Sequence, residues 1–173
     1  MLSAEEQARA LRYRVEAVQR RFIVTRAALR RLLASLCGGS PRALRFDYGA
    51  QGKPRLRDCP HLHFSLSHTA GLALCGVANR PLGVDVEGVR EIAAARIAPF
   101  VFTEAEQARL EGAQREQFFV LWVRKEAYLK ALGEGFAASP QRITTTPAPP
   151  GWWIADFIPA PGYRAAVALL TNV

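Results

Sequence analysis

The sequence lacks any uninterrupted apolar run of about 18 residues, the minimum expected of a membrane-spanning helix. Residues 1–7 are acidic and polar, whereas a secretory signal is basic and then apolar. The three cysteines are widely spaced and form no C-x-x-C pair, so neither a disulfide framework nor a thiolate zinc site is indicated. We therefore expect a soluble, cytoplasmic protein that does not associate with membranes.

The common phosphate-binding and hydrolase motifs are also missing. None of G-x-x-x-x-G-K-[ST], G-x-G-x-x-G, G-x-S-x-G or H-E-x-x-H occurs. Cys59, His61 and His63 form C-x-H-x-H, but this spacing matches no common zinc pattern and no fourth ligand lies nearby, so strand packing is the favoured explanation. Any catalytic chemistry must come from residues that are distributed along the chain.

What the chain does have is a large apolar fraction and an uneven positive charge. Half of its 173 residues are hydrophobic, enough for one domain or for two small halves that share a core. Most of the net charge of +8 lies in residues 1–45, where ten arginines face three glutamates. This distribution predicts an anionic partner: nucleic acid, a membrane surface, a phosphorylated cofactor or an acidic protein. Nucleic acid is disfavoured because the basic segment has no interleaved aromatic residues and no DNA-reading motif.

The first quarter of the chain has the pattern of amphipathic helix. Ser3 and Glu6 form a capping box, and apolar residues then recur every three or four positions as far as Cys37. The run is long, so we expect a bend or break near residues 13–16.

The rest of the chain predicts strands, then helices, then two more strands. Alternating segments at 44–48, 63–68, 72–78 and 83–87 indicate strands, the second and third forming a hairpin. Helices follow from 91 to 132, with a Thr103 cap and a last helix closed by Gly133. Strands at 152–158 and 163–170 end the chain. Because segments 71–78 and 162–170 resemble each other, we expect two similar α+β halves, residues 1–80 and 81–173.

Two carboxylates lie on one face of the strand at 83–87. The two-residue period places Asp85 and Glu87 together and Val84 and Val86 on the opposite face. Both carboxylates can converge on a hard cation, for which Mg²⁺ is the natural choice. The alternative is the solvated face of a half-exposed strand.

A third carboxylate, Glu126, shares a helix face with Trp122 and Lys130 at four-residue spacing. An ordinary Glu–Lys surface pair, worth about 0.2–0.5 kcal/mol, would explain it. A charge beside aromatic side chains is costly to desolvate, however, unless a metal or a phosphate compensates it. A histidine and hydroxyls at the end of the 63–68 strand form either a hydrogen-bonded turn or a phosphate contact.

Five segments in order, "GKP" (52–54), "HFSLSH" (63–68), "GVDVE" (83–87), "FTEAE" (102–106) and "WVRKEAYLK" (122–130), carry a resemblance to a known family. From about Ser3 to Leu170 the chain resembles the surfactin-synthetase type of 4′-phosphopantetheinyl transferase. The resemblance implies a pseudo-twofold pair of α+β halves with coenzyme A in the cleft between them. It also implies a monomer whose partner is an acyl or peptidyl carrier protein.

In that family a carrier-protein serine attacks the β-phosphate of coenzyme A, takes the phosphopantetheine arm and releases adenosine 3′,5′-bisphosphate. The resemblance implies that Asp85, Glu87 and Glu126 hold Mg²⁺ against the pyrophosphate. The proton acceptor stays open between Glu126, a metal-bound water and, less favoured, Glu106. The implied catalytic residues are Glu126, Lys130 and His68, and the implied coenzyme A contacts are Arg9, Arg21, Lys53, Ser67, His68, Lys125 and Lys130.

The sequence departs from the family pattern at its start. Family members usually have a strand ahead of the first helix, but this chain begins almost on that helix, so we expect the first sheet to lack an edge strand or the start codon to be misassigned. Glu6 stands where a basic residue near the adenosine phosphate is usual. A non-catalytic module that binds coenzyme A or a carrier protein on the same scaffold is the alternative to an active transferase.

Overall fold

The protein is a mixed helix and sheet fold, as predicted, in a computed structural model that describes residues 1–133 and 139–171. The helices are α1 (Ala4–Ala10), α2 (Glu16–Cys37), α3 (Ala94–Val101), α4 (Glu104–Ala108) and α5 (Arg115–Leu132), with a 3₁₀ turn at Pro140–Arg142. The strands are β1 (Phe46–Tyr48), β2 (Pro54–Leu56), β3 (His63–Thr69), β4 (Leu72–Ala78), β5 (Leu82–Gly88), β6 (Trp152–Phe157) and β7 (Tyr163–Leu170). The α+β class is thus confirmed, while the pseudo-twofold arrangement stays a prediction.

The long amino-terminal helix is broken where the sequence indicated. Ser3 caps α1 through the predicted capping box with Glu6. Between the two helices, the Gln19 amide donates a hydrogen bond to the Ala10 carbonyl at 3.0 Å, so one of the carbonyls left over at the end of α1 is satisfied. Gly38, with φ of 75°, ends α2.

A buried arginine organises the region around α1 and α2. The Arg30 guanidinium donates to Glu6 Oε2 at 2.5 Å, to the Pro41 carbonyl at 2.6 Å and to the Leu44 carbonyl at 3.1 Å. Burial acts to raise the pKa of Glu6, but hydrogen bonds from Arg30 and Arg26 outweigh it and hold that pKa below its ordinary value. Glu6 is therefore an internal partner of two arginines.

Strands β5, β7 and β6 form an antiparallel sheet in that order, and helix α5 packs across one face of it. Besides the aromatic Tyr128, the buried residues of this contact have small or branched side chains, which let the helix approach the strands closely. On the sheet side these are Ile154, Ala166 and Ala168; on the helix side they are Val123, Ala127 and Ala131. The sheet and α5 thus form the framework on which residues 83–87 and 122–130 are held.

Strand β5 and helix α5 approach each other closely at Gly83. A β-carbon built there would lie 2.0 Å from the Ala127 carbonyl oxygen and 2.4 Å from the Ala131 nitrogen. Only glycine allows the two backbones this close. The glycine of G-V-D-V-E is therefore required by packing, and it sets Asp85 beside the helix that carries Glu126 and Lys130.

The chain packs as two compact units, each held together by contacts among its own residues. One holds Met1–Asp47 and Pro54–Pro60, and the other holds Tyr48–Lys53 and the chain from His61 onward. The hairpin of β3 and β4, predicted and confirmed, belongs to the same unit as β5. These two units do not test whether the chain consists of two similar halves, so the predicted boundary at residue 80 stays a prediction.

Among residues 1–133 and 139–171, no helix combines the length and the apolar character needed to cross a bilayer.

Candidate active site

Asp85 is the centre of a polar cluster in an otherwise apolar part of the sheet. The residue is only 3% exposed. Its Oδ1 accepts hydrogen bonds from the Ser67 hydroxyl at 2.7 Å and from the Lys130 ammonium at 2.5 Å. Its Oδ2 is buried and has no hydrogen-bond partner within the described part of the chain. For Asp85 the alternative of a solvated strand face is therefore wrong.

Glu126 approaches this cluster from α5, one helical turn before Lys130. Its Oε1 is also buried without a hydrogen-bond partner among the described residues. Burial raises the pKa of Glu126 to about 7; Lys130 acts to lower this pKa, whereas the negative charges of Asp85 and Glu87 raise it further. A carboxyl with this pKa is half-protonated near neutral pH, so it can exchange a proton with a bound molecule.

The two unpartnered oxygens fit a hard divalent cation. Carboxylate oxygens are the preferred ligands of Mg²⁺, and a buried anionic oxygen without a donor is costly unless a cation compensates it. Glu87, the third predicted ligand, is instead paired with Arg90 at 2.8 Å. Within the described ranges, no three acidic, histidine or cysteine side chains are grouped closely enough to hold a metal ion. The structure thus brings Asp85, Glu126 and Lys130 together, whereas Glu87 forms an ion pair with Arg90.

Strand β3 contacts β5 through two serine hydroxyls. Ser65 Oγ accepts a hydrogen bond from the Val84 amide at 3.1 Å, and Ser67 Oγ accepts one from the Val86 amide at 3.3 Å. Both serines are 6% exposed. Because Ser65 and Ser67 are two residues apart, the strand period predicts that they share one face of β3. Nothing in the sequence indicated that this face meets β5.

His68, predicted as a catalytic residue and a coenzyme A ligand, follows Ser67 on the same strand. Successive side chains of a strand point to opposite faces, and the structure leaves His68 exposed while Ser67 is buried. His68 therefore does not join the Asp85 cluster, and its role at a phosphate stays a prediction.

Lys125 is not where a coenzyme A ligand would be expected. Its ammonium is fully buried, pairs with Glu106 at 2.6 Å, and also donates to the carbonyls of Pro140 and Ile143. All three of its N–H groups are thus occupied inside the protein. The predicted contact with coenzyme A is corrected: consecutive helix positions point about 100° apart, so Lys125 enters the core while Glu126 lies at the cluster.

Glu106 is the buried partner of Lys125 and is not suited to be a base. Its Oε2 also accepts from the Thr103 amide at 3.1 Å, completing the predicted helix cap, and its Oε1 accepts from the Thr145 amide at 2.8 Å. Burial acts to raise the pKa of Glu106, but the hydrogen bonds from Lys125 and Thr145 outweigh it and hold that pKa below its ordinary value. A carboxylate saturated in this way does not take up a proton near neutral pH.

We expect Lys125→Met to destabilise the fold by about 3–5 kcal/mol, because Glu106 would be left as an uncompensated buried charge. Urea denaturation followed by circular dichroism measures the loss. The double variant Glu106→Gln/Lys125→Met should recover most of it, and Arg115→Met, which removes an exposed pair with Glu91, should be nearly neutral. A Lys125→Met protein as stable as wild type would contradict this account of the pair.

The other predicted coenzyme A ligands, Lys53, Arg9 and Arg21, have the following surroundings in the structure. Lys53 donates to the Ala131 carbonyl at 2.9 Å and to the Leu82 carbonyl at 3.2 Å, bridging the end of α5 and the start of β5. Arg9 is exposed, with its guanidinium 5.4 Å from the centre of the Phe22 ring, and Arg21 is half-buried on α2. Their contacts with coenzyme A stay predictions.

Comparison with known proteins identifies the class to which this fold and site belong. Residues 81–164, which include β5, α5 and the side chains of Asp85, Glu126 and Lys130, match the family model of the 4′-phosphopantetheinyl transferase superfamily. The chain belongs to this superfamily.

Individual relatives extend the similarity beyond the matched segment. The 4′-phosphopantetheinyl transferase HetI of Nostoc sp. is 36% identical over 188 residues, which cover 97% of this chain and 78% of the relative. A 4′-phosphopantetheinyl transferase of Bacillus subtilis is 28% identical over 79% of this chain, and one of Bacillus pumilus is 30% identical over 79%. The matched regions span 62% and 60% of these two relatives.

Proposed function

We propose that the protein transfers the 4′-phosphopantetheine group of coenzyme A to a serine of an apo acyl or peptidyl carrier protein and releases adenosine 3′,5′-bisphosphate. One observation carries the proposal: Asp85 and Glu126 each hold a buried carboxylate oxygen without a hydrogen-bond donor, and Lys130 lies at the same cluster. Transfer at phosphorus needs negative charge neutralised and the nucleophile oriented, and this cluster supplies groups for both.

We further propose that the enzyme depends on Mg²⁺. Asp85 and Glu126 would hold the ion through their unpartnered oxygens, and Glu87 would be the third ligand after release from Arg90. When bound, the ion supplies charge neutralisation at the diphosphate of coenzyme A. Lys130 uses two of its three N–H groups on Asp85 and Ser67, so one stays available for a phosphate oxygen.

In the proposed reaction the carrier serine oxygen bonds to the β-phosphorus of coenzyme A. The bond from that phosphorus to the bridging oxygen of the diphosphate breaks, and adenosine 3′,5′-bisphosphate leaves with the electron pair. We propose Glu126 as the acceptor of the serine proton, because its carboxyl lies at the Asp85 cluster; its pKa of about 7 belongs to the protein without a bound cation, which would lower it. Glu106, the other side chain considered, is held ionised by Lys125 and Thr145.

The test is incubation with coenzyme A, Mg²⁺ and a panel of apo carrier proteins, followed by mass spectrometry of the carriers. A phosphopantetheinyl mass increment on at least one carrier is expected. No increment on fatty acid, polyketide or peptide carriers, with coenzyme A left intact, would refute the activity.

We expect Asp85→Asn to lower turnover by more than about 100-fold while the fold persists, because the amide keeps the side-chain shape but removes an anionic ligand. The same mass assay under single-turnover conditions measures the loss, and circular dichroism checks the fold. Undiminished turnover would show that Asp85 is not a ligand.

The alternative is a non-catalytic module that binds coenzyme A or a carrier protein, and it is not favoured because the matched relatives are named as transferases. It would bind coenzyme A in calorimetry and leave every carrier unmodified. The surfactin-synthetase type, the monomeric state, the cytoplasmic location and the absence of nucleic acid or membrane partners belong to the main proposal.

A further inference from the structure

We propose that Ser67 is a positioning residue that fixes the Asp85 carboxylate in one orientation, with Oδ1 turned to the protein and Oδ2 left for a cation. The inference rests on the proposed function, and it assigns Ser67 a different role from the contact with coenzyme A predicted above. This role rests on the hydrogen bonds that the Ser67 hydroxyl makes to Asp85, Val86 and Lys130.

A serine hydroxyl has one proton to donate and two lone pairs to accept with. Ser67 Oγ accepts from the Val86 amide at 3.3 Å and from the Lys130 ammonium at 3.1 Å. Because an ionised carboxylate only accepts, the single hydroxyl proton goes to Asp85 Oδ1 at 2.7 Å. The hydroxyl is then fully used within the protein, and none of its capacity is left for a phosphate of coenzyme A.

These bonds act on one oxygen of Asp85 only. Oδ1 accepts from both Ser67 and Lys130, while Oδ2 is buried and without a donor. Rotation of the carboxylate by half a turn would merely exchange the two oxygens, but a smaller rotation would break both short contacts at once. The serine therefore holds the plane of the carboxylate, and with it the direction in which the unpartnered oxygen can meet an ion.

Ser65 provides a matched control on the same strand. It has the same exposure as Ser67 and likewise accepts a hydrogen bond from a β5 amide, that of Val84. The structure shows Ser65 bonded to that amide, whereas Ser67 is bonded to an amide and, in addition, to Asp85 and Lys130. Replacing either serine by alanine removes its hydrogen bond to a β5 amide, but only the change at Ser67 also removes a hydrogen bond to the Asp85 carboxylate.

The experiment measures binding of Mn²⁺, a hard cation detected by electron paramagnetic resonance, to wild type, Ser67→Ala, Ser67→Thr and Ser65→Ala, without coenzyme A. Ser67→Ala should weaken Mn²⁺ binding by about 10-fold or more, as loss of a hydrogen bond to a ligating carboxylate commonly does. Ser67→Thr, which keeps the hydroxyl, should restore most of the affinity. Ser65→Ala should change it by less than about 2-fold, although both alanine variants should lower the melting temperature.

Transfer to a carrier protein gives a second readout. Ser67→Ala should need about 10-fold more Mg²⁺ for half-maximal turnover and approach wild-type turnover at saturating Mg²⁺. Equal Mn²⁺ affinities for the two alanine variants would overturn the positioning role while leaving the transferase proposal intact. A wild-type protein that neither binds Mn²⁺ nor modifies any carrier would overturn the proposed function, and this inference with it.

Discussion

Glu126→Gln should abolish transfer to carrier proteins and, in metal-free protein at pH 8, raise the melting temperature. In wild type the pKa of this carboxyl is raised to about 7 by burial, with Asp85 and Glu87 adding to the effect, so ionising it in the folded state is unfavourable. A rise of this size corresponds to about 3 kcal/mol of lost stability at high pH. The glutamine keeps the shape of the side chain and carries no charge.

The sign of the effect follows from proton binding. Because the folded protein holds the proton more tightly than the unfolded chain, the stability that this group contributes is full below pH 4.5 and is lost as pH rises to about 7. In EDTA, wild type should therefore lose stability relative to Glu126→Gln between these two pH values. At pH 8 its melting temperature should be the lower of the two, by up to about 6–12 °C. Thermal unfolding at pH 4.5, 6 and 8 measures the difference.

Glu116→Gln is the control on the same helix. Glu116 lies in the first turn of α5, where a negative charge is favourable, so removing it should slightly destabilise the protein at pH 8. If Glu126→Gln also destabilised metal-free protein at pH 8, the Glu126 carboxylate would not be an unfavourable buried charge. If that variant kept wild-type turnover, Glu126 would be neither ligand nor base.

Gly83→Ala should cost more than about 3 kcal/mol of folding free energy and lower turnover by at least about 100-fold. The added β-carbon would overlap the Ala127 carbonyl oxygen at 2.0 Å, and backbone atoms cannot move aside as the end of a side chain can. Helix α5 would have to move away from β5, and Glu126 and Lys130 would move away from Asp85 with it. Urea denaturation and single-turnover mass spectrometry measure the two losses.

Gly88→Ala is the matched control because it alters the same strand. There the new β-carbon would lie 3.8 Å from the Tyr163 ring, an ordinary van der Waals contact. Stability should change by less than about 0.5 kcal/mol and turnover should stay near wild type. Similar losses in both variants would show that close approach to α5 is not the reason for glycine at position 83.

The features of this fold that depend on neighbouring residues were predictable from the sequence. The capping boxes at Ser3 and Thr103 are present, and Gly133 closes α5 in the left-handed conformation, since each depends on a few neighbouring residues. The hairpin of β3 and β4 followed from alternation and an intervening turn. Strand β2 was not predicted, because its three residues, Pro54, Arg55 and Leu56, are too few to show an alternation and begin with a proline.

The candidate site was less predictable because its contacts join residues far apart in the sequence. Strand period and helix spacing made Asp85 and Glu126 candidates, and the family resemblance implied their role as ligands. The structure leaves one oxygen of each without a donor. Lys125 and Glu126 are consecutive and both charged, and the sequence did not show which of them enters the core. That depended on where Glu106 lies, a partner 19 positions away. Long-range partners of this kind have no local signature.

The buried guanidinium of Arg30 also bears on how strongly the protein attracts acidic partners in solution. A formal charge counts every arginine equally, yet Arg26 and Arg30 share Glu6, and Arg45 and Arg57 pair with Asp58 and Asp47. At distances larger than their separation, the opposite fields of two paired charges largely cancel, and salt screens what remains over a Debye length of about 8 Å at physiological ionic strength. Long-range steering of an anion must then come from the other arginines, such as Arg20 and Arg31 on the exposed side of α2. Association rates should accordingly depend on salt less steeply than the 23 lysines and arginines of the chain, counted alone, imply.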